Sequence, residues 1–344
     1  MFRVMVLAGG PDRERAVSEA SGAQIARALQ DIGHEVRLRD ILPDDLSALD
    51  EFARWRGQVI FPILHGAWGE GGPLQRILDQ RGLCYVGCRA PAAELCMDKA
   101  ATKAVLARHG LPTPASEVLS RGQKPTLAPP LVIKPLADGS SIDVVICRSA
   151  AQLDTALADV MTRNDRVLIE QFIQGKELTV GVIGVGDQGG IDSRGHPRCP
   201  TCGYDLHGND TGICPECGAV VDVGDDPQRM MSLPPIQIIP ATEFYDYEAK
   251  YVRDDTQYLF DFGASPAVMA ELGRLARETC RVLGVRHLCR VDLFLDAGDR
   301  PWIIEVNTLP GFTTHSLLPK AAARAGAPMH VLVDRLVRLA LREA

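Results

Sequence analysis

The stretch Arg290-Val291-Asp292-Leu293-Phe294-Leu295-Asp296-Ala297-Gly298-Asp299-Arg300-Pro301-Trp302-Ile303-Ile304-Glu305-Val306-Asn307 reads as a β-hairpin near the carboxyl end of a 344-residue chain. Residues 291–295 and 302–306 are apolar and β-prone, and the Asp, Gly and Pro residues between them are a turn signal. If the hairpin closes symmetrically about Gly298-Asp299, Asp292 lies opposite Glu305 and Arg290 opposite Asn307. Residues two apart share a face of a strand, so all four side chains point the same way. Facing carboxylates repel unless a cation lies between them. An Asp/Glu/Asn oxygen set suits Mg²⁺, which takes few protein ligands and completes its shell with water and substrate phosphates. The neighbouring Arg suits an anion that forms during a reaction. The plainer alternative is a solvated hairpin face with a salt bridge. Apolar residues interleaved on both strands, and the Gly-containing tail that follows, favour the site.

The remainder of the chain is ordinary in bulk. Hydrophobic residues make up 46% and charged residues 24%, a globular balance, and the length suits about two or three domains. A net charge of −7 gives no broad basic surface, so no nucleic acid partner is expected. No apolar run suits a signal peptide or a membrane span, which implies no membrane association and a cytoplasmic location. Of the ten cysteines, Cys84, Cys88, Cys96, Cys147, Cys280 and Cys289 lie in apolar stretches and read as buried thiols.

Moving outward from the hairpin, the pattern is α/β. Residues 3–8 read as a buried strand ending in Gly9-Gly10, followed by a helix over 18–32 and strands at 36–38 and 59–64, the last ending in His65-Gly66. Loops after parallel strands are candidate walls of a ligand site. A second unit opens near Met97-Asp98-Lys99 with a helix to His109, then strands at 131–134, 144–147 and 167–170. Ser149-Ala150-Ala151-Gln152 is a capping-box pattern opening a helix between the last two. Pro135-Leu136-Ala137-Asp138-Gly139-Ser140-Ser141 is a small-residue loop able to close over phosphates. The third unit starts near Glu177-Leu178-Thr179-Val180 and ends in helices over 316–325 and 329–342.

Several stretches, in order, resemble the D-alanine:D-alanine ligase family of the ATP-grasp superfamily. They run from Gly9 to Ser18 and from Leu64 to Gln75, then Met97-Asp98-Lys99, Val132-Ile133-Lys134-Pro135 and Gly139-Ser140-Ser141. Phe244-Tyr245-Asp246-Tyr247-Glu248-Ala249-Lys250-Tyr251 is the most specific of them, and Glu305, Asn307, Pro310-Gly311 and His315-Ser316 complete the set. The resemblance covers nearly the whole chain except about residues 187–230. It implies a three-domain ATP-grasp architecture: a parallel α/β domain over 1–95, a lid domain over 96–177 and a catalytic domain over 178–344.

By the same resemblance, ATP phosphorylates the carboxylate of a first D-alanine, and the amine of a second attacks the acyl phosphate. Lys99 and Lys134 meet the ATP phosphates; Glu170, Ile173 and Glu177 meet adenine and ribose; Lys250 reaches the transferring phosphoryl group. Asp292, Glu305 and Asn307 ligate two Mg²⁺ (or Mn²⁺) ions, and Arg290 with the Gly311 N–H holds the oxyanion. Glu14 binds the ammonium of the first D-alanine within a set that includes Ser140 and Tyr251, and His65 lies nearby. Ser316, with Leu317, receives the second carboxylate, and as the start of a helix Ser316 is also a candidate N-cap. Lys103 and Lys124 are expected on the surface. Tyr251 favours an amine nucleophile over D-lactate. A homodimer is implied. Two departures stand out: Ile142-Asp143 replaces the usual Val-Gly, placing an acid near the triphosphate, and Gly71 replaces an Asp. Rival readings are a different second substrate (D-serine, D-lactate or another amino acid) or a non-catalytic regulator or scaffold.

Residues 190–228 form an insertion bearing Cys199-Pro200-Thr201-Cys202 and Cys214-Pro215-Glu216-Cys217, two knuckles 11 residues apart, each followed by Gly. This is a tetrahedral S₄ signal for structural Zn²⁺, a zinc ribbon, with iron or two disulfides as alternatives. The zinc would supply folding energy that so short and polar a segment lacks.

Overall fold

A computed structural model describes residues 1–136, 143–184, 190–191, 197–198, 216, 230–241, 253 and 255–343. At the amino end, β1 (Arg3–Ala8) lies between β2 (Glu35–Asp40) and β3 (Val59–Pro62) in a parallel sheet of order β2-β1-β3. Parallel strands need crossovers, and α1 (Arg15–Asp31) supplies the first. It begins at Arg15 and not at Ser18, so Ser18 is a buried helix residue. Its hydroxyl accepts the Gly9 N–H at 2.8 Å and donates to the Ile63 carbonyl at 2.5 Å, tying together the ends of β1 and β3.

Four short helices were not apparent from periodicity: α2 (Ser47–Trp55), α3 (Gly66–Gly69), α4 (Pro73–Gln80) and α5 (Ala90–Met97). The last ends where α6 (Lys99–Arg108) begins. Asp98 caps α6 by accepting the Ala100 and Ala101 N–H groups, both at 2.9 Å. Met97-Asp98-Lys99 is therefore a joint between two helices.

The central sheet is antiparallel, with β4 (Ser116–Ser120), β5 (Leu131–Pro135), β6 (Val145–Cys147) and β7 (Arg166–Gln171) in the order β4-β7-β5-β6. Helix α7 (Ala150–Arg163) lays Leu153, Val160 and Met161 on its apolar face, against Leu131, Ile133, Val167 and Ile169. Ser149 caps it as the sequence predicts, accepting the Gln152 N–H at 3.4 Å, while Gln152 Oε1 accepts the Arg148 N–H at 2.8 Å.

The largest sheet is built around β8 (Gly175–Gly184). A two-stranded ribbon of β9 (Gly190–Ile191) and β10 (Pro197–Arg198) follows. Then come β11 (Met230–Ser232), β12 (Ile236–Ile239), β13 (Gln257–Leu259), β14 (Leu288–Asp296) and β15 (Pro301–Asn307). The order is β13-β12-β8-β14-β15, with β11 also on β8. Helix α8 (Pro266–Leu283) packs Leu272, Leu275 and Ala276 on one face, against Val180, Val291 and Leu293. The other face joins α9 (Leu317–Arg324) and α10 (Met329–Arg342) to the β1 sheet through Leu318, Leu332 and Leu336, packed with Val4, Val6 and Ile25. Among the described residues, no helix is long and apolar enough to cross a membrane.

Candidate active site

The hairpin of β14 and β15 pairs Arg290 with Asn307 and Asp292 with Glu305, the facing pairs the sequence predicts. The closure that achieves this is not symmetric. The tip is a three-residue loop: Asp296 N–H bonds Arg300 O at 3.0 Å, and Asp299 takes the left-handed conformation at φ 59°. The Asp296 carboxylate accepts from Gly298 N–H, Arg300 N–H and Trp302 Nε1–H at 2.9, 3.0 and 3.0 Å. From that tip Leu293 pairs with Ile303, a register that would set Asp292 against Ile304. A bulge beyond Leu293 restores the acid pair. Ile304 and Glu305 are both half-buried where strict alternation would bury one of them. Were the strands paired regularly, with no bulge, Glu305 would lie opposite Val291, which is fully buried, and would turn to the core face.

The outer edge of β15 is also secured. Ile303 N–H donates to Pro112 O at 2.8 Å, and Ile303 O accepts from Thr113 Oγ1 at 2.9 Å. The segment before β4 thus closes a sheet edge that would otherwise be open.

Asp292 is held by four donors. Arg290 forks onto both oxygens at 2.9 and 2.8 Å, Thr179 Oγ1 donates to Oδ1 at 2.6 Å, and Asn307 Nδ2 donates to Oδ2 at 3.1 Å. Thr179 is 1% exposed and lies opposite Asp292 across β8. Sequence reasoning missed it, because nothing local reveals which strand will lie beside β14. Two carboxylates and an amide fit Mg²⁺ if water and phosphate oxygens complete the shell. Among the described residues there is no cluster of three or more His, Cys, Asp or Glu side chains suited to a metal.

The cleft beside Glu305 and Asn307 is lined by Glu70, Met97, Lys99 and Thr308. Glu70 was not singled out by the sequence. Burial, then the negative charge of Glu14, pushes its carboxyl up to about 8, against the pull of the Gly66 N–H and Arg290. The same two charged groups face His65, which is buried. Burial lowers its pKa, Glu14 opposes this, and Arg290 adds to the lowering. His65 Nε2 has no hydrogen-bond partner among the described residues. Glu14, Glu70, His65, Arg290 and Glu305 therefore form one electrostatic neighbourhood, assembled from the loops after β1 and β3 and from the hairpin.

Past the hairpin, Phe312 N–H donates to Ser21 Oγ of α1 at 3.0 Å, which brings the Gly311 tail against the first helix. A side chain on Gly311 would lie 2.8 Å from Ser316 Oγ. Ser316 precedes α9, but its hydroxyl does not cap that helix. It accepts the Thr313 N–H at 2.9 Å and bonds Thr313 Oγ1 at 2.9 Å, so the expected N-cap is replaced by a loop clasp. Leu317 is buried in the core, with its N–H at the helix start.

On the central sheet, Lys134 and Glu170 come together at adjacent strands as a buried ion pair. Lys103 corrects an expectation: it is 4% exposed, not on the surface, and its Nζ lies 2.9 Å from Glu170 Oε2. Lys124 is exposed as expected. Burial works to raise the Glu170 carboxyl, but Lys134 and Lys103 together hold it below its ordinary value. Ile173 lies half-buried in the turn from β7 to β8, and Glu177 sits on β8 between Ile238 and Phe294. Lys99 N–H bonds Leu136 O at 3.0 Å, anchoring α6 to the end of β5. Asp143 has φ 55° and is paired with Arg163 at 3.1 Å, so its charge is already met by a cation. Ser140, Lys250, Tyr251 and the four knuckle cysteines lie outside the described residues.

A family profile described as "D-ala D-ala ligase C-terminus" matches residues 103–204 and 216–338. The chain belongs to the D-alanine–D-alanine ligases. The ligase is 36% identical over 348 residues to the D-alanine–D-alanine ligase of Marinobacter nauticus, covering 99% of this chain and 92% of that one. It is 36% identical over 351 residues to that of Burkholderia vietnamiensis, covering 99% and 97%. Among solved structures, the D-alanine–D-alanine ligase from Bacillus anthracis superposes with a TM-score of 0.75 at 27% identity, over 100% of this chain and 98% of that one. The Bacillus anthracis ligase complexed with ATP gives 0.73 at 25% identity, with the same coverage. The mixed α/β fold is therefore that of an ATP-grasp ligase. Its activity is the ATP-dependent joining of two D-alanines, a reaction of peptidoglycan synthesis.

Proposed function

We propose that ligation takes place in the cleft between the central sheet and the β14–β15 hairpin, through an acyl phosphate of the first D-alanine. The observation that carries this reading is the Asp292–Glu305 facing pair. Lys99 and Lys134 receive the ATP phosphates as point charges; Glu170, Ile173 and Glu177 flank adenine and ribose; Lys250 meets the transferring phosphoryl group. Asp292, Glu305 and Asn307 would hold Mg²⁺ (two ions, or Mn²⁺), which supplies charge neutralisation for phosphoryl transfer. Arg290 and the Gly311 N–H stabilise the oxyanion of the tetrahedral intermediate. Glu14 takes the ammonium of the first D-alanine beside His65, within a hydrogen-bonded set that includes Ser140 and Tyr251. Ser316 and the backbone at Leu317 take the carboxylate of the second. In this reading the chain's own residues supply alignment and complementary charge, and the bond-making atoms all belong to the substrates.

The test is Mg²⁺-dependent ADP release by the purified protein with D-alanine, D-serine, D-lactate or L-alanine as acceptor. Turnover with D-alanine alone is expected. Preference for another acceptor would refute the second-substrate assignment, and no turnover with any acceptor would favour the regulator reading.

For the insertion, we read Cys199, Cys202, Cys214 and Cys217 as the ligands of a structural Zn²⁺. The family match breaks at 205–215, a gap that begins after the first knuckle and takes in Cys214 of the second. Cys199→Ser should release one zinc per chain, measured by a chelating dye, while ligation continues. A protein purified with iron or with no metal would overturn this. The same family reading implies a homodimer, checked by sedimentation, acting in the ATP-rich cytoplasm.

A further inference from the structure

Two ammonium groups and one carboxylate meet behind β5 and β7. Lys103 Nζ lies 2.9 Å from Glu170 Oε2, and Lys134 pairs with Glu170 Oε1. All three side chains are nearly sealed from solvent, at 4%, 5% and 4% exposure for Lys103, Lys134 and Glu170. Among the described residues the group carries one uncompensated positive charge. A lysine is rarely buried without partners, and Lys103 has two more: it donates to Thr113 Oγ1 at 2.7 Å and to Pro114 O at 3.3 Å. Two of its hydrogens are thus engaged by neutral oxygens, and its charge faces Glu170. Thr113 Oγ1 passes the contact on by donating to Ile303 O of β15, two residues before Glu305.

We infer that Lys103 is a positioning residue for the nucleotide: it takes one oxygen of Glu170, leaving Lys134 with charge to offer a phosphate. It also links that pair, through Thr113, to the strand carrying Glu305. The inference rests on the reading that Lys134 meets ATP. With Lys103 neutralised, Glu170 and Lys134 become a closed, neutral pair, and a buried carboxylate with a single cation grips it more tightly. An arriving phosphate then has to compete with Glu170 for Lys134. With Lys103 charged, the triad stays one positive charge in excess in a place where unmatched charge is costly, so binding of an anion relieves it.

Lys103→Gln keeps hydrogen-bonding groups but removes the charge, Lys103→Arg keeps the charge, and Thr113→Val cuts the link to β15 and one hydrogen bond of Lys103 while leaving both charges of the lysines in place. The full chain is assayed for Mg-ATP affinity by equilibrium dialysis, and for kcat and the KM of each substrate by ADP release. Lys103→Gln is expected to weaken ATP binding about tenfold or more, with the KM for D-alanine changed less than twofold. Lys103→Arg is expected to recover most of the loss, and Thr113→Val to lower kcat with ATP affinity within twofold of wild type. Unchanged ATP affinity in Lys103→Gln overturns the inference, as does an equal affinity loss in Thr113→Val, which would point to packing instead of charge. If Lys103→Gln does not fold, Lys103→Arg and Thr113→Val still decide: a loss of ATP affinity in both refutes the charge argument. Lys134→Met separates this inference from its parent. If ATP affinity survives that substitution, the reading of Lys134 itself is wrong; if it falls there but not in Lys103→Gln, only the role of Lys103 fails.

Discussion

Thr179→Val removes a single oxygen from the site and tests how Asp292 is aimed. The Thr179 hydroxyl donates to Asp292 Oδ1 at 2.6 Å from a position that is 1% exposed. A hydrogen bond to a charged acceptor contributes about 1.5–3 kcal/mol. The other donors to Asp292, Arg290 and Asn307, both approach from the hairpin itself, so only Thr179 reaches it from β8. Losing it frees the carboxylate to follow Arg290. If the whole of that interaction serves to orient Asp292 for a cation, kcat/KM falls by roughly ten- to a hundredfold, since about 1.36 kcal/mol corresponds to each factor of ten. The Mg²⁺ concentration needed for half-maximal rate should rise, while the KM for D-alanine stays close to wild type. Thr179→Ser keeps the hydroxyl and should recover most activity. The assay is ADP release across a Mg²⁺ titration. A Thr179→Val enzyme within twofold of wild type throughout would refute the claim that this hydroxyl orients the acid.

Three further outcomes follow from the same geometry. Glu305→Ala should abolish turnover while circular dichroism and the unfolding midpoint stay near wild type, because the half-buried Glu305 faces the cleft and not the core; substantial residual activity would count against the metal assignment. Glu70, with its carboxyl raised from 4.5 to about 8, keeps a proton in the folded protein through the pH range where the unfolded chain has lost it. Its contribution to stability is present below about pH 4.5 and is lost as pH rises through about 8. Glu70→Gln, which mimics the protonated form, should therefore match wild type in urea at pH 4.5 and exceed it at pH 8.5, without Mg²⁺ or ATP; equal midpoints at both values would contradict the shift. Ser18→Ala leaves the Gly9 N–H and one Ile63 carbonyl lone pair unmatched in a buried place, at about 1–3 kcal/mol for each orphaned group; a loss under about 0.5 kcal/mol in urea unfolding would mean that water or a shift of the loop replaces the hydroxyl.

Much of this architecture was legible because it is local. The capping box at Ser149 and Gln152 and the strand patterns at β1, β5 and β7 each depend on residues a few positions apart. Asp292 and Glu305 were legible as a pair because a hairpin turns its own neighbours toward each other. Features that depend on distant partners were not. Lys103 lies in a run of alanines and looks like any helix lysine until Glu170, from a strand far along the chain, is laid beside it. Thr179 is an unremarked strand residue until β8 is known to lie against β14. Ser316 sits where a capping serine would, and only the loop conformation at Thr313 diverts its hydroxyl. The short helices before Lys99 are not legible because one to three turns give too little periodicity to read.

The kink at Ile304 separates the fate of the hairpin's tip from that of its acids. Strand parity makes any single-residue change in the loop 297–299 equivalent to turning Glu305 inside out, unless a second change cancels it lower down. Loop length and kink are thus one odd-or-even variable written at two places. Chains that shorten the tip by a residue and straighten the strand would conserve the chemistry, whereas either edit alone would silence it.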